Sequence, residues 1–178
     1  MTNILYSNIN CPFCARARNA LFFAGIDYKL IEVDLSNKPE ALFKLSPKGT
    51  VPVLVTSNDK IIDESIEIVR YCAQNAPEDN WLSLDISEEE IYLNDFQNNF
   101  LNAYRSYRTN QTDMNSLNII NQYLEKLDSK LQQTNFISGD KISTIDIMIT
   151  PFISRFLATN SSKIYKNIAK WLENILRK

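Results

Sequence analysis

The chain has 178 residues, 44% apolar and 22% charged, with a net charge of −2. That is enough apolar side chain for one large or two small packed domains, and it argues against wholesale disorder. It offers no broad basic surface for nucleic acid. The absence of histidine excludes Ser-His and Cys-His triads and every His-ligated metal site.

Residues 3–7 (NILYS) are a short apolar run and predict a strand. Pro12 suits the first turn of a helix, where its missing N–H is not needed. The helix continues with Ala17, Ala20, Leu21 and Ala24 at helical spacing and ends at Gly25 as a left-handed cap. Residues 28–35 (YKLIEVDL) alternate and predict a second strand, parallel to the first through a right-handed crossover. Residues 38–45 predict a short helix. Residues 51–56 and 60–63 predict two strands joined by the hairpin turn SNDK. Residues 65–76 predict an amphipathic helix with Ile66, Ile68, Val69 and Cys72 inward, stopped by Pro77.

The order is thus β-α-β-α-β-β-α over residues 1–77, an α/β unit of ordinary small-domain size. Residues 78–86 are polar and read as a linker. Residues 87–178 read as an all-helical domain. Its first long helix spans 87–108, with Ser87 as cap and three acids behind it. Residues 113–133 carry Leu117, Ile120, Leu124, Leu127 and Leu131 on one stripe, and residues 166–176 form a last amphipathic helix. The segment 142–158 has a specific start signal. Ser143 caps the helix, Asp146 reaches back to the cap's N–H, and Ile142 and Ile147 stand in the staple positions. Pro151 inside it predicts a kink. No apolar run is long enough to span a membrane, and the first ten residues lack the pattern of a secretory signal. A cytoplasmic protein with reduced thiols is expected.

The chemistry concentrates in CPFC, residues 11–14. Three cysteines cannot build a four-cysteine zinc site, and the three glycines lack the spacing of a phosphate-cradling loop. With Cys11 at the N-cap, Phe13 and Cys14 are the second and third helical residues, and a thiolate at Cys11 would receive their amides and the positive helix end. A drop from about 8.5 to about 6 in its pKa, about 3.4 kcal/mol, makes it about 90% ionised at pH 7. Arg16 and Arg18 add positive field. The spacing also lets Cys14 resolve a mixed disulfide formed on Cys11. A C-x-x-C pair serves redox and metal sites alike; here redox or thiol transfer is favoured over a metal shared between subunits. Cys72 reads as a small core residue.

Three stretches together, CPFC after the first strand, SPKGTVPVL (46–54) and DESIEIVRY (63–71), resemble the glutathione transferase superfamily. Its cysteine-type, omega-like members and the two-domain glutaredoxins are the nearest in pattern. The resemblance implies a thioredoxin-like N-terminal domain and the superfamily's helical C-terminal domain. It implies glutathione as co-substrate, no metal, and a small disulfide or electrophile as second substrate. Cys11 would form the mixed disulfide with glutathione, with Phe13 beside it. Pro52 would be a cis-proline, and Val51 would offer its N–H and C=O to the cysteinyl part of the tripeptide. Glu64 would meet the γ-glutamyl ammonium and Ser65 its carboxylate. Lys38 matches a position near the glycyl carboxylate. Tyr107 and Arg108 are the candidates for a co-substrate pocket, while the aromatics before them read mainly as core. Tyr6 reads as a strand residue. Homodimerisation is the superfamily's habit. Two features depart from the omega-like pattern, the second cysteine and a short helical half. The alternative is a non-catalytic binding protein of the same fold, of the type associated with bacterial RNA polymerase; the retained CPFC favours the enzyme.

Overall fold

A computed structural model describes residues 2–77, 81, 84–160 and 163–176. The chain divides into two compact units, Met1–Ser83 and Leu84–Lys178. Much of the stretch read as a linker lies outside the described residues.

The first unit runs β1 (Asn3–Ser7), α1 (Pro12–Ala24), β2 (Tyr28–Glu32), α2 (Glu40–Leu45), β3 (Val53–Val55), β4 (Ile61–Ile62) and α3 (Ser65–Asn75). The sheet order is β2-β1-β3-β4, with β1 and β2 parallel and the other pairs antiparallel. α1 opens on Pro12 and closes on Gly25 at φ 66°, whose N–H returns to the carbonyl of Phe22 while that of Ile26 returns to Leu21. Ala17, Ala20, Leu21 and Ala24 are buried as their spacing predicts. β2 is shorter than expected. Val33 still pairs with Ser7, but Asp34 then accepts from the N–H and hydroxyl of Ser36 and turns the chain. Pro52 shortens β3 at its start: it has no N–H to give the ladder, and the Val51–Pro52 bond is cis.

Register puts the key segments at one end of the sheet. Tyr6 pairs with Val53 antiparallel, so Val51 and Pro52 lie at the end where β1 runs on towards Cys11. β4 is antiparallel to β3 and therefore delivers Asp63, Glu64 and Ser65 to that same end.

The second unit is helical throughout its described elements: α4 (Ile86–Phe96), a π-helical turn (Gln97–Leu101), α5 (Asn102–Thr109), α6 (Met114–Lys130), α7 (Thr144–Thr159) and α8 (Lys166–Leu176). Two expectations change here. Asp85, not Ser87, occupies the N-cap position of α4; Ser87 is already inside the helix. The long helix expected over 87–108 is interrupted by the π turn, whose extra residue re-aims the face that follows. Phe96 and Phe100 stack at 5.3 Å, and Phe100 and Tyr104 meet Phe156 edge-on at 5.9 and 5.8 Å. The aromatics of this helix are therefore mainly core.

α7 begins with the predicted capping box. Asp146 Oδ2 accepts from Ser143 N and Oγ at 2.9 and 2.6 Å. Its Oδ1 accepts from the Ile137 N–H at 3.0 Å and from Trp171 Nε1 at 2.8 Å. One buried carboxylate thus ties the helix start to a preceding loop and to α8. The helix runs on through Pro151, with Thr150 Oγ1 donating to the Asp146 carbonyl at 2.5 Å.

Candidate active site

The segment between β1 and α1 is clamped before the cysteines are reached. The Ile9 N–H donates to Glu32 Oε1 at 2.8 Å, and the side chain of Asn8 donates to the Val33 carbonyl at 3.0 Å. The guanidinium of Arg18 donates to Ser7 Oγ at 2.6 Å and to the Asn8 carbonyl at 3.2 Å. Cys11 therefore enters the helix with extended dihedrals, φ −92° and ψ 121°, from a fixed direction.

Cys11 is half-buried and Cys14 fully buried, and both are free thiols. The Cys11 thiol is lowered to about 6. The first cause is the Cys14 thiol, which donates to the Cys11 sulfur; the amides of Cys14 and Phe13 and the charge of Arg18 follow, against the opposing effect of burial. The amides, expected to lead, come after that thiol. Here the side chain of Cys11 makes no cap hydrogen bond of full geometry, so the amides act as dipoles behind the thiol donor. The Cys14 thiol is raised by that same hydrogen bond and by burial, and its sulfur also accepts from the Asn8 N–H at 3.3 Å. At neutral pH the pair is one thiolate and one thiol.

Arg16 departs from expectation. It is buried at 3% exposure and donates to Ser65 Oγ at 3.1 Å. Its guanidinium also lies 5.7 Å from the centroid of Phe13, which is half-buried. Arg16 thus joins the start of α1 to the start of α3, while the charge of Arg18 helps to lower Cys11. This 49-residue link has no signal in sequence spacing.

Glu64 stands at the N-cap position of α3 without capping it. Its Oε1 instead receives Lys48 Nζ at 2.5 Å. Lys48 also lies 3.5 Å from Asp63 Oδ2, which accepts from Ser46 Oγ at 2.9 Å. Val51 is half-buried on the small core of Val33, Leu42 and Val53. Neither its N–H nor its C=O has a hydrogen-bond partner among the described residues. Lys38 is half-buried and makes no ion pair with a described residue. Tyr6 is a strand residue packed on that same core. Cys72 is buried and its thiol is pushed up to about 12. No group of three or more potential metal ligands occurs among the described residues.

In the helical unit, Tyr107 is half-buried against Phe156 at 6.3 Å, and the exposed Arg108 lies 5.9 Å from the Tyr104 ring. A cavity of about 350 Å³ lies elsewhere in this unit, lined among others by Tyr92, Asp95, Lys126, Lys130 and Ile137; neither Tyr107 nor Arg108 lines it. No helix among the described residues is long and apolar enough to cross a membrane.

Residues 10–75 match the glutathione S-transferase N-terminal domain, and residues 66–178 match the glutathione S-transferase C-terminal domain. The chain belongs to the glutathione S-transferase family. Among curated relatives, glutathione S-transferase omega-1 of Rattus norvegicus is 30% identical over 86% of this chain and 67% of its own length. Glutathione S-transferase L2, chloroplastic, of Arabidopsis thaliana is 29% identical over 96% of this chain and 62% of its own. The solved structure of unclassified glutathione S-transferase 2 from Bombyx mori superposes with a TM-score of 0.84 at 21% identity, covering 99% of this chain and 88% of its own. That of glutathione transferase Omega 1C from Trametes versicolor gives 0.79 at 22% identity, with the same coverage. The fold is thus the transferase fold, a thioredoxin-like unit followed by a helical one. The relatives named are transferases, which are enzymes, and none is a polymerase-associated binding protein.

Proposed function

We propose that this transferase is a glutathione-dependent thiol transferase with Cys11 as its nucleophile. The observation that carries the reading is a half-buried thiol held at a pKa of about 6 by a buried thiol donor. The Cys11 thiolate attacks the glutathionyl sulfur of a mixed disulfide. A bond forms between the two sulfurs, the substrate leaves as a thiolate, and that thiolate takes a proton from solvent. A second glutathione thiolate then attacks the glutathionyl sulfur, giving oxidised glutathione and returning the Cys11 thiolate. Cys14 could resolve the intermediate instead, but it is buried and its thiol is raised, which favours the route through a second glutathione. A thiolate of its own in the site is poorly suited to stabilising the glutathione thiolate, so conjugation to electrophiles should be weak.

The residues around Cys11 suit the tripeptide. Val51, whose N–H and C=O have no hydrogen-bond partner among the described residues, suits an extended cysteinyl segment. Ser65 and the start of α3 suit the γ-glutamyl carboxylate, and Glu64 its ammonium. Lys38, with no ion-pair partner among the described residues, suits the glycyl carboxylate. Tyr107 and Arg108 are proposed for the second substrate. A reducing compartment such as the cytoplasm fits three free thiols, and a homodimer is the assembly to test first. The decisive assay is glutathione-coupled reduction of hydroxyethyl disulfide or dehydroascorbate. Wild type should turn over and Cys11→Ser should lose nearly all activity; full activity in Cys11→Ser refutes the assignment.

A further inference from the structure

The amine subsite proposed at Glu64 already holds a cation. Lys48 Nζ lies 2.5 Å from Glu64 Oε1, the contact that a ligand ammonium would make. Its position is set by a pinned turn. The Gly49 N–H donates to the Ser46 carbonyl at 2.9 Å, and Ser46 Oγ holds Asp63 at 2.9 Å. Gly49 takes φ +57° with its Cα against the Phe43 ring, where a Cβ would meet ring carbon at 2.4 Å. Lys48 is thus presented to α3 from a turn fixed on both sides. It also has a second acceptor, Asp63 Oδ2 at 3.5 Å.

We propose that Lys48 is an internal competitor for the ammonium of the incoming γ-glutamyl group. It occupies Glu64 in the free protein and passes to Asp63 when ligand binds. The inference rests on the glutathione reading above and adds a specificity element to it. Lys48 Nζ and a ligand ammonium on the same carboxylate would face each other as like charges, and Asp63 offers Lys48 a second acceptor, so binding exchanges one ion pair for another. The pair is exposed, with Lys48 at 54% and Glu64 at 63%. Pairs of this kind are weak, corresponding to a factor of about two to five in an equilibrium constant. The device therefore tunes affinity rather than gating the site.

Titration calorimetry at low ionic strength tests this with two probes, glutathione and the analogue lacking only the γ-glutamyl amino group. The proteins are wild type and Lys48→Gln, a surface change that leaves Cys11 and the fold untouched. Lys48→Gln should bind glutathione about two- to fivefold more tightly, and the amine-free analogue with unchanged affinity. Unchanged or weaker glutathione binding in Lys48→Gln, or an equal gain for the analogue, overturns the proposal; weaker binding of both probes would make Lys48 a ligand contact instead. Failure of both proteins to bind glutathione overturns the underlying functional reading together with this one, an outcome distinct from normal binding without a Lys48 effect.

Discussion

Replacing Cys14 tests the central physical argument, because its thiol is the first cause of the lowered Cys11 pKa. With a midpoint at about 6, Cys11 is about 90% thiolate at pH 7, against about 3% for an ordinary thiol of pKa about 8.5, roughly a thirtyfold advantage. A less basic thiolate is also a weaker nucleophile. With a Brønsted coefficient of about 0.45, a depression of about 2.5 units costs about thirteenfold in intrinsic reactivity. The net gain over a peptide thiol is therefore only about twofold at pH 7, rising to about twelvefold at pH 6 and reversing to about sevenfold slower at pH 8.5. The rate of attack on a small neutral disulfide, read from pH 5 to 9 by mass spectrometry of the Cys11 peptide, should show this crossover. A carboxylate-like sign applies: the reactive form is present above the midpoint and is lost as pH falls through about 6. In Cys14→Ala the donor is gone. A hydrogen bond to a charged group contributes about 1.5–3 kcal/mol, so the midpoint should rise by about 1–2 units. Cys14→Ser keeps an O–H donor and should keep most of the depression. A Cys14→Ala midpoint still near 6 would refute the thiol-donor argument and return the leading part to the helix amides.

Two further outcomes concern the scaffold. Asp146→Ala removes the acceptor of four hydrogen bonds, from Ser143 N and Oγ, the Ile137 N–H and Trp171 Nε1. It should destabilise the helical unit by about 3–5 kcal/mol in denaturant titrations, because buried donors are left unsatisfied; a loss under about 1 kcal/mol would show that the loop and α8 relax freely. Gly49→Ala meets a left-handed φ of +57° and the Phe43 ring. The ring is 45% exposed and able to swing away, so most of the cost is the backbone, about 1–2 kcal/mol, measurable as a lower midpoint in thermal or urea unfolding.

Local signals in the sequence translated directly into structure. Pro12 and Gly25 bound α1, and the Ser143/Asp146 box opens α7, because a cap is satisfied within a few residues of its own position. The cis peptide at Pro52 followed from the family resemblance rather than from any spacing. What the sequence did not reveal depends on contacts between distant positions. Arg16 reads with Arg18 as a source of positive field for Cys11, and its burial onto Ser65 depends on the packing of α1 on α3. The π turn lies where Phe96 and Phe100 meet Phe152 and Phe156 of α7, and no propensity along 97–101 signals it. Trp171 as a partner of Asp146 lies 25 residues away and required the docking of α8.

The Cys11–Cys14 pair lies between these two cases. Its spacing is local and legible, yet the same i, i+3 relation allows two uses of the second thiol. A resolving thiol must reach the thiolate state and attack, whereas a donating thiol must keep its proton. Burial decides between them. Cys14 is 0% exposed, and burial and the hydrogen bond to Cys11 raise its thiol, outweighing the Asn8 N–H that its sulfur accepts at 3.3 Å and that alone would favour the anion; the balance holds the proton on Cys14 and the charge on Cys11. Exposure of position 14 would weaken that division and bring the two thiols closer in acidity. In a chain without histidine, the proton arrangement that a neighbouring imidazole often supplies is here supplied by a second sulfur kept away from water.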